Sequence, residues 1–149
     1  ASLGADVPFF INGGIQHGSG IGDILTPLKN KIFNKLKILL VIPNIHISTQ
    51  WAYERLNFSL QSTKKGSKLP PLTSPVIWRL FENDFERVIR STYPEIDEIK
   101  SQLYKCGAIY AGMSGSGSTV FGIYDNNKLL QNSFEEFTHC QSYITSPIY

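Results

Sequence analysis

Met113-Ser114-Gly115-Ser116-Gly117-Ser118-Thr119 is the stretch of this chain best suited to chemistry. It lies between two apolar runs, Ala108–Ala111 and Val120–Tyr124. A loop without side-chain bulk lets the backbone approach a ligand, and its N–H groups and hydroxyls can hold anionic oxygen. Far upstream, Gly4-Ala5-Asp6-Val7-Pro8-Phe9-Phe10 supplies a carboxylate beside an apolar run. An acid and a glycine loop on one chain suit phosphoryl transfer, which needs positioning and charge neutralisation more than covalent help. Each motif also has a plain structural alternative. The loop reads equally as a hairpin turn of small residues, and Asp6 alone reads as a helix cap or turn former.

The loop does not fit two common fingerprints. Gly112 to Thr119 has the glycine frame of a Walker A loop, but Ser118 stands where lysine belongs and no helix follows. Gly115-x-Gly117-x-x-Val120 lacks the third glycine of a dinucleotide-binding turn. His17, His46 and His139 are scattered, without metal-ligand spacing, so no metal is assigned to them. Asp84 and Glu86 are expected in surface or capping roles. Trp51 and Tyr53, two apart on one expected helix, cannot both face a core, so one of them is free for a ligand face. Stacking on a planar base is a natural use of such a ring. Lys64, Lys65 and Lys68 form the one local basic cluster, in what reads as a solvated Lys/Pro loop.

These residues must be positioned by a small mixed fold. The first residues, to about Ile11, read as a helix end or turn stopped by Pro8. Gly13 to Leu28 reads as a β-ribbon with a tight turn at Gly18-Ser19-Gly20. Leu36 to Ile42 is a central strand ending at Pro43. Ser48 is an N-cap for a helix over Thr49 to Leu56. Apolar residues at helical spacing, from Val76 to Ile89, predict a helix from about Pro75 to Thr92, interrupted near Asn83. Pro94 opens the next helix as an N1 proline, with Glu95, Asp97 and Glu98 in its first turn. Ile96, Ile99 and Leu103 form its buried stripe, and Gly107 ends it. A strand, the Gly/Ser turn, a second strand, a helix near Lys128 to Phe137 and a last strand near Gln141 to Ile144 follow. From residue 36 the order is β-α-α-α-β-β-α-β. The expected fold is therefore α+β: an antiparallel sheet with helices on one face, ferredoxin-like with an added helix.

At 149 residues, 42% hydrophobic and 17% charged, the chain has the composition of a globular domain with a real core. A net charge of +2 leaves no footprint for nucleic acid. Cys106 and Cys140 are isolated, which suits a reducing cytoplasm. The longest apolar run, Ile38 to Ile42, is far too short to span a membrane. The chain opens on Ala1 rather than Met, which leaves room for a preceding segment.

Taken together, five segments resemble the kinases named for galactose, homoserine, mevalonate and phosphomevalonate, the GHMP superfamily. Gly4 to Phe10 resembles the family's second motif with its catalytic aspartate. Gly18-x-Gly20-x-Gly22-Asp23-x-Leu25-x-Pro27-Leu28 resembles the stretch after it. Ile47-Ser48-Thr49-x-x-Ala52-Tyr53 resembles the segment with a base-stacking aromatic. Asn83-Asp84-Phe85-Glu86 and Gly112 to Phe121 resemble the late helix and the glycine-rich third motif.

The resemblance implies Asp6 as the catalytic base and Thr49, Tyr53, Gly115, Ser116 and Gly117 as substrate-binding, with Tyr53 stacked on a cytosine. Residues 1–31 would be the end of an N-terminal kinase domain, and residues 32–149 the C-terminal substrate-binding domain. The family's phosphate-cradling loop and lysine belong to an N-terminal half that this chain is expected to lack. ATP and Mg would therefore bind chiefly through that missing half, its partner here, and the chain alone is expected to be inactive. The implied reaction, in a bacterial cytoplasm, is phosphorylation of the 2-hydroxyl of 4-diphosphocytidyl-2-C-methyl-D-erythritol in non-mevalonate isoprenoid precursor synthesis. Two alternatives stand beside it: a stand-alone ferredoxin-like module binding a metabolite or partner without catalysis, and a GHMP kinase for a mevalonate- or homoserine-type substrate.

Overall fold

The computed structural model describes residues 7–19, 24–28, 33, 35–60 and 76–147; of residues 57–60 only the backbone is considered. The chain divides into two compact units, Ala1–Leu36 with Ser146–Tyr149, and Lys37–Thr145. In the first unit, helix α1 spans Val7–Asn12. Pro8 does not stop it. Proline in a first turn loses no hydrogen bond, because the N–H groups there have no helical partner anyway. The helix ends instead at Gly13, whose N–H donates to Phe9 O at 2.8 Å. Strands β1 (Gln16–Ser19) and β2 (Ile24–Pro27) then pair antiparallel, from Gln16↔Pro27 to Ser19↔Ile24. Gly18 and Ser19 are thus strand residues, not the turn. The expected turn residue Gly20 lies outside the described residues.

The second unit holds strand β3 (Lys37–Ile42), helix α2 (Thr49–Leu60), a 3₁₀ turn (Trp78–Leu80), and helices α3 (Asp84–Ile89) and α4 (Pro94–Lys105). Strands β4 (Tyr110–Met113) and β5 (Val120–Tyr124), helix α5 (Asn127–Glu136) and strand β6 (Gln141–Thr145) complete it. The sheet order is β4-β5-β3-β6, every pair antiparallel. This is the ferredoxin-like arrangement, with α2 and α3 added before the first crossover helix.

Strand alternation sorts the sheet into two faces. Leu39 and Val41, register partners of Gly122 and Val120, are fully buried. They join Ile96 and Leu103 from α4, Leu130 from α5 and Phe137 just past its end in one core. Ile96, Ile99 and Leu103 form the buried stripe of α4 at the spacing the sequence predicts. Strand β4 begins two residues later than expected. The reason is the end of α4, where Gly107 N–H donates to Tyr104 O and Ala108 N–H to Leu103 O, both at 3.0 Å. Ala108 is consumed by this Schellman closure and is not part of the strand.

The helix expected from about Pro75 to Thr92 is interrupted at Asn83, where the sequence places the break, but ahead of the break it is not α-helical. Its described part is the 3₁₀ turn, an extended stretch and the short α3. Two competing interactions break it. Trp78 stacks on Tyr110, 5.7 Å between centroids, and the Tyr110 hydroxyl donates to Phe81 O at 2.6 Å. Asn83 is extended (φ −103°, ψ 114°), and its side chain accepts from Phe85 N–H, restarting the helix as an N-cap.

Gly107 has φ +92°, and a Cβ there would meet Leu129 Cδ1 at 2.8 Å. Gly107→Ala is therefore expected to destabilise the fold by about 1–2 kcal/mol, the cost of left-handed backbone for an L-residue. Urea unfolding should show a lower midpoint at constant slope. An unchanged midpoint would contradict this account of how α4 ends.

Candidate functional site

Strand β4 lies at the edge of its sheet. An edge strand turns alternate N–H and C=O groups away from its one neighbour, and these need partners when water is excluded. Here side chains supply them. Glu86 Oε1 accepts from Met113 N–H at 2.6 Å. Asn83 Nδ2 donates to Met113 O at 2.9 Å, and the Tyr104 hydroxyl donates to Ala111 O at 3.2 Å. Asn83 Nδ2 also reaches Gly115 O at 2.8 Å, so one amide holds both the entry and the crest of the glycine loop.

Glu86 is only 12% exposed, and its Oε2 is paired with the Lys100 ammonium of α4. Glu86 has neither the surface nor the capping role expected of it: its carboxylate ties α3, α4 and β4 together. Asp84 is exposed and paired with Arg87 at 3.6 Å, a surface role as expected. The run Asn83-Asp84-Phe85-Glu86 did carry a signal, an N-cap residue followed by acids in the first turn. It could not show that the same Asn and Glu grip a strand about thirty residues further on, because that depends on the sheet edge.

The loop between β4 and β5 closes by Ser114 N–H to Thr119 O at 2.8 Å and Gly117 N–H to Ser114 O at 3.0 Å. Gly115 and Gly117 have φ of +55° and +92°. Gly117 has a second reason to be glycine, since a Cβ would meet Ile47 Cδ1 at 2.8 Å and Met113 Sδ at 2.9 Å. The loop therefore packs on the residues that lead into α2. Ser48 caps α2, accepting from Trp51 N–H at 3.3 Å. Thr49 Oγ1 lies 3.2 Å from Ser116 Oγ.

Tyr53 follows Thr49 by four residues, hence on the same helix face. It is 53% exposed, and its ring stands edge-on to Phe85 at 4.9 Å. Trp51 turns the other way, edge-on to Tyr93 at 5.7 Å and packed against the core. The structure thus brings Thr49, Ser116, Gly115 and Gly117 together and leaves the Tyr53 ring open one helical turn away. Asp6 lies outside the described residues, as do Lys64, Lys65 and Lys68. Among the described residues, no cluster of His, Cys, Asp and Glu is arranged to hold a metal, and no helix is long and apolar enough to cross a membrane.

A loop of small residues with open hydroxyls, gripped from below and flanked by an exposed aromatic, can receive a ligand that has both oxyanion and planar parts. Residues 75–138 match the family described as GHMP kinases C terminal. Among curated proteins, the chain is 46% identical to a 4-diphosphocytidyl-2-C-methyl-D-erythritol kinase from Azobacteroides pseudotrichonymphae, over 82% of this chain and 45% of that protein. It is 37% identical to the protein of the same name from Thermodesulfovibrio yellowstonii, over 92% of this chain and 50% of that protein. The chain spans about half the length of these relatives. Its fold is also that of a solved 4-(cytidine 5'-diphospho)-2C-methyl-D-erythritol kinase, with TM-score 0.77 at 24% identity, over 96% of this chain and 53% of that one. Homoserine kinase from Cytophaga hutchinsonii shares the fold less closely, with TM-score 0.64 at 17% identity, over 95% of this chain and 50% of that one.

The Tyr110 hydroxyl that holds the Phe81 carbonyl has its pKa pushed up to about 12, first by burial and then by the charge of Glu86, with smaller effects of Tyr104 and Glu82. A raised folded-state pKa contributes stability that is fully present below the unfolded value of 10.0 and is lost as pH rises toward about 12. Stability should therefore fall across that window, and Tyr110→Phe should lessen the fall. A phenolate absorbance titration of the folded protein checks it: Tyr110 should ionise after the exposed tyrosines, as should Tyr124, which burial also pushes up, and Tyr110→Phe should remove one of these late steps. All tyrosines titrating together would contradict the assignment.

Proposed function

We propose that this chain is the C-terminal part of an ATP-dependent kinase that phosphorylates the 2-hydroxyl of 4-diphosphocytidyl-2-C-methyl-D-erythritol, in non-mevalonate isoprenoid precursor synthesis. The observation that carries the reading is the Thr49–Ser116 contact, with the exposed Tyr53 ring one turn beyond it on α2. The names of the curated relatives support the same substrate. In this reading residues 32–149 form the substrate-binding domain, and residues 1–31 close an N-terminal kinase domain. Mg-ATP is the co-substrate, bound chiefly by the part of the relatives' length that this chain does not span. A bacterial cytoplasmic location goes with the reading.

The proposed roles follow from side-chain chemistry. Tyr53 offers a ring face to the cytosine, worth roughly 1–3 kcal/mol by the measure of base–aromatic stacking. Thr49 and Ser116 offer hydroxyls that can donate or accept, and Gly115 and Gly117 let the backbone come close to the ligand. Asp6 orients the acceptor hydroxyl and takes its proton late in a loose transition state, where a weak base suffices. The Asn83–Glu86 grip keeps the loop in one conformation, so binding costs less ordering entropy.

Steady-state kinetics of the full-length protein with the cytidyl substrate test the reading. Asp6→Asn should lower kcat by about two decades or more at nearly constant KM, since the amide cannot accept the proton. Tyr53→Ala should raise KM by about one to two decades, and Tyr53→Phe should change little, because the ring makes the contact. Turnover of mevalonate or homoserine in preference to the cytidyl substrate would contradict the substrate assignment. Full activity in Asp6→Asn would remove that residue from the mechanism.

A further inference from the structure

Behind the Glu86–Lys100 pair the second unit has a recess of about 450 Å³, walled by the Arg79–Asn83 stretch, α3, α4 and the β4 edge. Four cations line it, Arg79, Arg87, Arg90 and Lys100, against two carboxylates, Glu82 and Glu86. The carboxylates offset this charge less than the count suggests. Glu82 is exposed to water, and Glu86 is already committed to Lys100 and the Met113 N–H. Nor are the guanidiniums neutralised by their own partners. Arg87–Asp84 and Arg90–Asp97 are both 3.6 Å apart and well exposed, so the pairs are weak and water-screened. Arg79 has no ion pair among the described residues.

The walls are fixed. The Tyr110 and Tyr104 hydroxyls that line the recess are spent on Phe81 O and Ala111 O, so the rings stand as rigid sides. The volume lies within the range of small-molecule sites. Planar guanidinium forks match phosphoryl oxygens two at a time, which makes converging arginines the natural recognition of that group.

We propose that this recess binds the phosphoryl oxyanions of a phosphorylated small molecule, through Arg79, Arg87 and Arg90. The site is separate from the glycine loop and does not rest on the kinase reading. It is also coupled to the loop. An oxyanion there competes with Glu86 for Lys100, and Glu86 is the acceptor of the Met113 N–H.

Calorimetric titration of the full chain with inorganic diphosphate at low ionic strength tests the site. Saturable binding should be seen, weaker in high salt because the contacts are charged and near the surface. The Arg79→Ala/Arg90→Ala double variant should bind about tenfold or more weakly, as expected on losing charged hydrogen bonds. Both side chains are exposed, and an unchanged circular dichroism melt will show that the variant is folded. Ser116→Ala should leave the affinity unaltered, and the Met113 amide resonance should shift as diphosphate is added. Absence of saturable binding up to about 10 mM would overturn the proposal. So would binding that survives loss of the arginines, or that is lost in Ser116→Ala, which would locate it at the glycine loop.

Discussion

A carboxylate shielded from water must be answered by charge and by hydrogen bonds, or it does not stay charged. Glu86 meets that constraint with the Lys100 ammonium on one oxygen and the Met113 N–H on the other. Each partner belongs to a different element, so one side chain sets α3, α4 and β4 relative to one another. Asn83 adds the complementary half, donating to the Met113 carbonyl and to Gly115 beyond it. An edge strand that would otherwise present unpaired backbone groups becomes a finished surface. The glycine loop then leaves β4 from a fixed origin.

That origin decides what the loop can do. Gly117 allows the crest to settle on Ile47 without a Cβ clash, and the settling places Ser116 against Thr49 at the start of α2. The Ser48 cap sets where α2 begins, and the helical repeat carries Tyr53 to the same face. Trp51 takes the opposite role, against Tyr93. Two aromatics two residues apart are thereby divided between packing and presentation, and each position in the proposed substrate surface follows from a local rule applied on a scaffold that Asn83 and Glu86 hold.

Much of this was legible in the residues. The Leu103-centred stripe, the N1 proline, the Gly107 stop and the β-α-α-α-β-β-α-β order are local or periodic, and the structure carries each. Where reading failed, a long-range interaction had outweighed a local pattern. Apolar spacing from Val76 to Ile89 suits a helix interrupted near Asn83, and the interruption is there, but ahead of it Trp78 found the Tyr110 ring and only a 3₁₀ turn formed. Ala108 looked like strand and was taken by the closure of α4. Pro8 looked like a stop and sat harmlessly in a first turn. Glu86 looked like a surface acid because nothing in its neighbourhood in the chain announces an unsatisfied N–H at Met113. In the candidate site the residue types were readable, whereas the grip on the loop required the sheet order.

Native-state hydrogen exchange on the Glu86→Ala variant tests the central claim, that the carboxylate at the edge strand orders the glycine loop. The informative amides are Ser114 and Gly117, whose own hydrogen bonds, to Thr119 O and Ser114 O, do not involve Glu86. If the grip orders the loop, both should lose protection by about tenfold or more beyond the change at the core amides of Leu39 and Val41, as local opening does. If Ser114 and Gly117 change only in step with Leu39 and Val41, the loop holds its own conformation and the claim is wrong.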